Sequence, residues 1–118
     1  PTMVFNEEGD LMLVTGSPGG SLIPAAILRV ITGVVDFNLD IGQATMLPRV
    51  HKDWPTTGIL YERTLNSDVV RIINKTIGHK MTPEHTMGST QSIHIIDGIN
   101  YGFADLRRPN ASVSIQPN

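Results

Sequence analysis

The pattern of apolar and polar positions changes period several times along the chain. Thr2 to Phe5 and Leu11 to Thr15 read as two strands, joined by the polar, glycine-containing hairpin loop Asn6-Glu7-Glu8-Gly9-Asp10. From about Ser21 to Phe37 the period becomes helical, with Ile23, Ile27, Val30, Ile31 and Val34 recurring on one side. Pro24 suits this helix because it falls in the first turn, where backbone donors have no partner. Arg29 and Asp36 are its only charges, so much of its circumference is expected to be covered.

A second, short helix is predicted over Ile41 to Met46 and should stop at Leu47-Pro48, since a residue before proline resists helical geometry. Residues 48–58, with Pro48, Trp54, Pro55 and Gly58, read as an irregular loop, and Gly58 to Glu62 as a short strand. Ser67 is expected to cap a helix running to about Ile77, with Gly78 in its C-terminal left-handed position. Thr90 to Ile96 and Asn100 to Asp105 flank Asp97-Gly98, a hairpin signal, and Pro109 to Asn118 reads as a tail. The order strand, strand, helix, helix, strand, helix, strand, strand predicts an α+β fold, an antiparallel sheet with helices packed against it. With so few strands, the sheet is expected to continue into another segment of polypeptide.

Composition narrows the choices. The 118 residues fit one compact domain, and 40% hydrophobic with 17% charged residues is globular rather than disordered. A formal charge of −2 without a basic cluster argues against a nucleic-acid partner. The apolar stretch Leu22 to Val35 is interrupted by Pro24, Arg29, Thr32 and Gly33 and is too short to span a bilayer, so no membrane contact is expected from this segment. The absence of cysteine removes disulfides, thiolate catalysis and thiolate zinc sites together. His51, His79, His85 and His94 lack ligand spacing, so no metal is expected.

Candidate chemistry concentrates in Gly16-Ser17-Pro18-Gly19-Gly20-Ser21, between a predicted strand and a helix N-terminus. Unpaired N–H groups and the positive end of the helix dipole gather there, and glycine lets them approach a ligand. Such a loop is suited to an anion or to an oxyanion developing during acyl transfer; the plainer account is a tight turn. The loop lacks the spacing of a Walker motif or a dinucleotide fingerprint, and no cofactor is expected.

Leu13-Val14-Thr15-Gly16-Ser17-Pro18-Gly19-Gly20-Ser21 closely resembles the corresponding segment of γ-glutamyltranspeptidases. The likeness continues through Asp36-Phe37-Asn38-Leu39-Asp40, Gln43-Ala44-Thr45, Leu47-Pro48-Arg49-Val50-His51, Met87-Gly88-Ser89-Thr90-Gln91-Ser92-Ile93 and Tyr101-Gly102, in the family's order and with similar gaps. The resemblance implies the C-terminal part of a small subunit and a partial Ntn-hydrolase-type αββα sandwich. It implies an enzyme that cleaves glutathione and other γ-glutamyl compounds through a γ-glutamyl-threonine intermediate, with the threonine's own amine as base. On this likeness, the backbone N–H groups of Gly19 and Gly20 match the oxyanion hole. The nucleophilic threonine has no counterpart in the chain, and a serine pair that contacts substrate in the family falls just before Pro1. The resemblance also implies a large subunit and the remainder of the small subunit as partners, and a periplasmic or secreted location. The family's relatives leave open a cephalosporin acylase or a γ-polyglutamate-processing enzyme, and a different class leaves open a non-catalytic anion-binding fragment. Leu22 and Leu106 depart from arginine and proline found in relatives; neither belongs to the glycine pair.

Other residues draw plainer expectations. Pro1 resembles the catalytic proline of small tautomerases, but no pair of related βαβ halves accompanies it. Asp36, Asp40 and Asp53 are expected to be caps or solvated charges, and Ser89, Thr90 and Ser92 a structural strand entry rather than a nucleophile. Gln91 is expected to bond backbone, Trp54 to pack under its loop, and Asp105 with Arg107 to form an ion pair at a strand end.

Overall fold

A computed structural model describes residues 1–55 and 58–116; Thr56 and Thr57, within the predicted 48–58 loop, and Pro117 and Asn118, at the end of the predicted tail, lie outside the described residues. Strands β1 (Thr2–Phe5) and β2 (Leu11–Gly16) form the predicted hairpin. A 3₁₀ turn, Gly20–Leu22, leads into α1 (Ile23–Val35), and α2 (Ile41–Met46) follows. Two strands at the chain's end, β6 (Gln91–Ile96) and β7 (Ile99–Ala104), complete an antiparallel sheet of order β1-β2-β6-β7. The register Thr2↔Thr15↔Ser92↔Phe103 and Val4↔Leu13↔His94↔Tyr101 runs through all four strands.

The core lies on one face of this sheet. Ala26, Val30, Gly33 and Val34 form the buried stripe of α1, the spacing of one helical face. Val30 and Val34 meet Leu13, Ile41 and Ala44, with Val4, Ile31, Leu39 and Phe103 packed around them. Gly33 allows α1 and α2 to approach closely: a Cβ there would stand 2.8 Å from Ala44 Cβ. Asp40 caps α2 with a capping box, its carboxylate accepting from Gln43 N–H at 2.8 Å while Gln43 Oε1 accepts from Asp40 N–H.

Elsewhere the structure corrects the sequence reading. Part of the predicted 48–58 loop is strand β3 (Val50–His51), and β5 (Lys80–Glu84) is a strand without a predicted counterpart. With β4 (Gly58–Glu62) they form a second sheet of order β3-β4-β5, in which β4 and β5 run parallel. Helix α3 (Ser67–Ile72) bridges β4 and β5 and continues as a π turn over Ile73–Ile77. Its cap is Asn66 rather than Ser67: the Asn66 side chain accepts from Asp68 N–H at 2.8 Å. Gly78 ends the segment at φ +84°, the left-handed position expected of it. Trp54 is 92% exposed, not packed beneath its loop.

Candidate functional site: the glycine loop and its support

β2 ends at Gly16, paired with Gln91, so the loop that follows emerges beside the segment leading into β6. Gly19 adopts φ +138° and Gly20 φ +58°, conformations that side chains disfavour. The Gly19 carbonyl accepts from Leu22 N–H at 3.1 Å, and the Gly20 carbonyl from Ile23 N–H. The Pro18 carbonyl accepts from Ser17 Oγ at 2.7 Å. Among the described residues, neither the Gly19 nor the Gly20 N–H donates a hydrogen bond. Two backbone donors on exposed residues thus stand at the start of the 3₁₀ turn, Gly20–Leu22, that leads into the 13-residue helix α1. An arrangement of this type can receive a negatively charged oxygen.

The loop rests on Met87-Gly88-Ser89. Ser89 N–H donates to Ser17 Oγ at 2.9 Å. Gly88, at φ +73°, is held so tightly that a Cβ would stand 2.7 Å from Ser17 Oγ and 3.1 Å from Ala26 Cβ. On the other side Ser21 Oγ reaches Asp53 Oδ2 at 3.5 Å, and Asp53 Oδ1 lies 2.8 Å from His51 Nε2. Asp53 and His51 are therefore a linked pair beside the loop, where the sequence suggests for Asp53 a cap or a solvated charge.

Beneath the loop lies a buried charge cluster. Arg49, fully buried, donates from Nη1 to the Met87 carbonyl at 2.7 Å and from Nη2 to Asp105 Oδ2 at 2.7 Å. Glu62 accepts from Met87 N–H at 2.9 Å, from Arg49 N–H at 3.0 Å, and from Arg107 through two contacts of 2.6 Å. Arg107 also reaches Asp105 Oδ1 at 3.2 Å. The expected Asp105–Arg107 ion pair at the end of β7 is present, and it is part of a buried network. Burial lowers the Arg49 guanidinium, with Arg107 adding to the effect and Asp105 opposing it. Burial pulls Arg107 the same way, but Glu62 and Asp105 together overcome it and leave Arg107 above its ordinary value.

Ser89, Thr90 and Ser92 are buried in structural bonds: Thr90 Oγ1 accepts from Arg49 at 3.1 Å, and Ser92 Oγ lies 2.7 Å from Thr15 Oγ1. Gln91 bonds a side chain rather than backbone, donating from Nε2 to Ser89 Oγ at 3.3 Å. No group of three or more His, Cys, Asp or Glu among the described residues is placed to hold a metal ion, and no described helix is long and apolar enough to cross a membrane. A groove of about 960 Å³ between Asp40–Gly42, β6–β7 and the tail residues Val113–Gln116 includes no residue of the glycine loop.

A β2–glycine loop–α1 unit on an antiparallel sheet, with helices on one face, is the architecture of an Ntn-hydrolase-type α+β domain. Over residues 1–115 the sequence matches the family model of γ-glutamyltranspeptidase, and the chain belongs to that family. It is similar to the glutathione hydrolase proenzyme of Escherichia coli K12, with 37% identity over 91% of the chain and 18% of the relative. Its fold is similar to the Helicobacter pylori γ-glutamyltranspeptidase T380A mutant, with a TM-score of 0.85 and 32% identity over 92% of this chain and 60% of that one. The transpeptidase enzyme CapD of Bacillus anthracis shares the fold, with a TM-score of 0.76 at 19% identity over 98% of this chain and 69% of that one. The chain spans about a fifth of the length of the curated relatives it matches.

Proposed function

We propose that this chain is the C-terminal part of the small subunit of a γ-glutamyl acyltransferase/hydrolase, acting on glutathione and related γ-glutamyl compounds. In this reading a threonine elsewhere in the complete enzyme attacks the γ-glutamyl carbonyl, and the N–H groups of Gly19 and Gly20 hold the resulting oxyanion. The complete enzyme then combines this segment with the rest of the small subunit and a large subunit, in a periplasmic or secreted setting. The observation that carries the reading is the pair of uncommitted amides at positions 19 and 20, in a segment that matches the family throughout.

Two further features support it. A Cβ on Gly16 would stand 3.6 Å from Pro1 Cα, so residues joined upstream of Pro1 would enter beside the loop. There the resemblance puts the substrate-contacting serine pair. Met3, Val14 and Ile93 share the sheet face opposite the core, with Met3 and Ile93 exposed, a surface suited to the other sheet of an αββα sandwich.

Gly19→Ala and Gly20→Ala in the complete enzyme test the assignment. Each should lower kcat for a γ-glutamyl anilide by about 10²–10³-fold while changing KM little. Retention of wild-type kcat by both variants would remove the oxyanion role.

A further inference from the structure

We infer that Ser17 is a positioning residue whose hydroxyl sets the direction of the Gly19 N–H. The inference rests on the oxyanion reading of Gly19 and Gly20. The Pro18–Gly19 peptide is trans. Its N–H therefore points opposite its C=O, and whatever holds the Pro18 carbonyl also aims the Gly19 amide. That carbonyl accepts from Ser17 Oγ at 2.7 Å.

The hydroxyl is itself held. Ser89 N–H donates to Ser17 Oγ at 2.9 Å. Because this bond uses an acceptor lone pair, the single hydroxyl hydrogen remains available for the Pro18 carbonyl. Gly88 packs against the same oxygen, leaving no room for a Cβ between them. Met87, just before it, is bound at its N–H by Glu62 and at its carbonyl by Arg49. The amide is thus oriented by a chain of contacts that begins in the buried charge cluster. The neighbouring Gly19–Gly20 peptide needs no such help, since Leu22 N–H holds its carbonyl from within the 3₁₀ turn. Ser17 is the one side chain among the described residues that bonds either carbonyl.

Without the hydroxyl, the Pro18–Gly19 plane can rotate and the amide loses its aim at the developing charge, while ground-state binding is largely untouched. Ser17→Ala in the complete enzyme should therefore lower kcat by roughly 10- to 100-fold with KM little changed. Ser17→Thr, which keeps the hydroxyl, should restore most of the loss. If Ser17→Ala fails to mature, Ser17→Cys, with a weaker donor, should mature and give an intermediate kcat. Unchanged kcat in the variant that matures, a rise in KM in place of the fall in kcat, or a loss that Thr does not rescue would overturn the inference. Gly19→Ala and Gly20→Ala run alongside separate the two ideas. If they retain kcat, the oxyanion reading fails; if they lose it while Ser17→Ala does not, only the role of Ser17 fails.

Discussion

Gly20, at φ +58°, holds a left-handed angle that an L side chain reaches only at a cost of about 1–2 kcal/mol, and Gly19, at φ +138°, lies beyond that region, so the loop's shape depends on residues that present no side chain. The opposite strategy operates beneath it, where four charged side chains are buried. Burial pushes the Asp105 carboxyl upward, but the N–H groups of Arg107 and Thr90 and the Arg49 guanidinium outweigh it and hold the group below its ordinary 3.8. The fold therefore keeps Asp105 ionised where the unfolded chain takes up a proton. Its contribution is complete above about pH 4 and is lost as the pH falls from there through the lowered value. Asp105→Asn should destabilise the protein by about 3–5 kcal/mol at neutral pH, because Arg49 loses its charged partner, and should flatten the acid limb of the melting profile. A melting temperature and acid profile matching wild type would contradict this. The turn with positive φ at Gly19 and Gly20 was legible in the sequence because its signals are adjacent residues. Of the charge cluster only the Asp105–Arg107 pair was: Arg49 finds Asp105 across 56 positions, and an arginine after a proline ordinarily reads as surface.

Elements with a strong local period emerged at nearly their expected places. α1 carries a continuous buried stripe, and β6–β7 close at Asp97-Gly98 with both residues at positive φ. The two unforeseen strands lack such signals. β3 is only two residues long and gains its identity from pairing with β4. β5 holds Pro83, which suits the edge of the β3-β4-β5 sheet and hides the strand in the sequence. Its parallel pairing with β4 requires a crossover, which α3 and the π turn supply. The buried charge cluster then ties the two sheets together: Glu62 belongs to β4, while Thr90 and Asp105 flank the β6–β7 hairpin.

At the scale of the whole molecule, one face of the four-stranded sheet is covered by α1 and α2, and the other presents Met3 and Ile93. Leu28, Val35 and Phe37 are exposed on and after α1, although the sequence suggested a mostly covered helix. These surfaces suit a segment completed by further polypeptide. Expressed alone, the 118 residues should show no γ-glutamyl hydrolysis, since the proposed nucleophile lies elsewhere. Turnover of a γ-glutamyl anilide proportional to the concentration of the purified segment would contradict that division of labour. The central claim concerns two N–H groups and is tested by deleting them individually. Semisynthesis of the complete enzyme with glycolic acid in place of Gly19 or Gly20 converts one amide to an ester, removing the donor without adding a side chain. A fall in kcat of about 10²-fold or more for each ester, with KM little changed, is the expected result. Wild-type kcat in both esters would show that these amides do not hold the oxyanion.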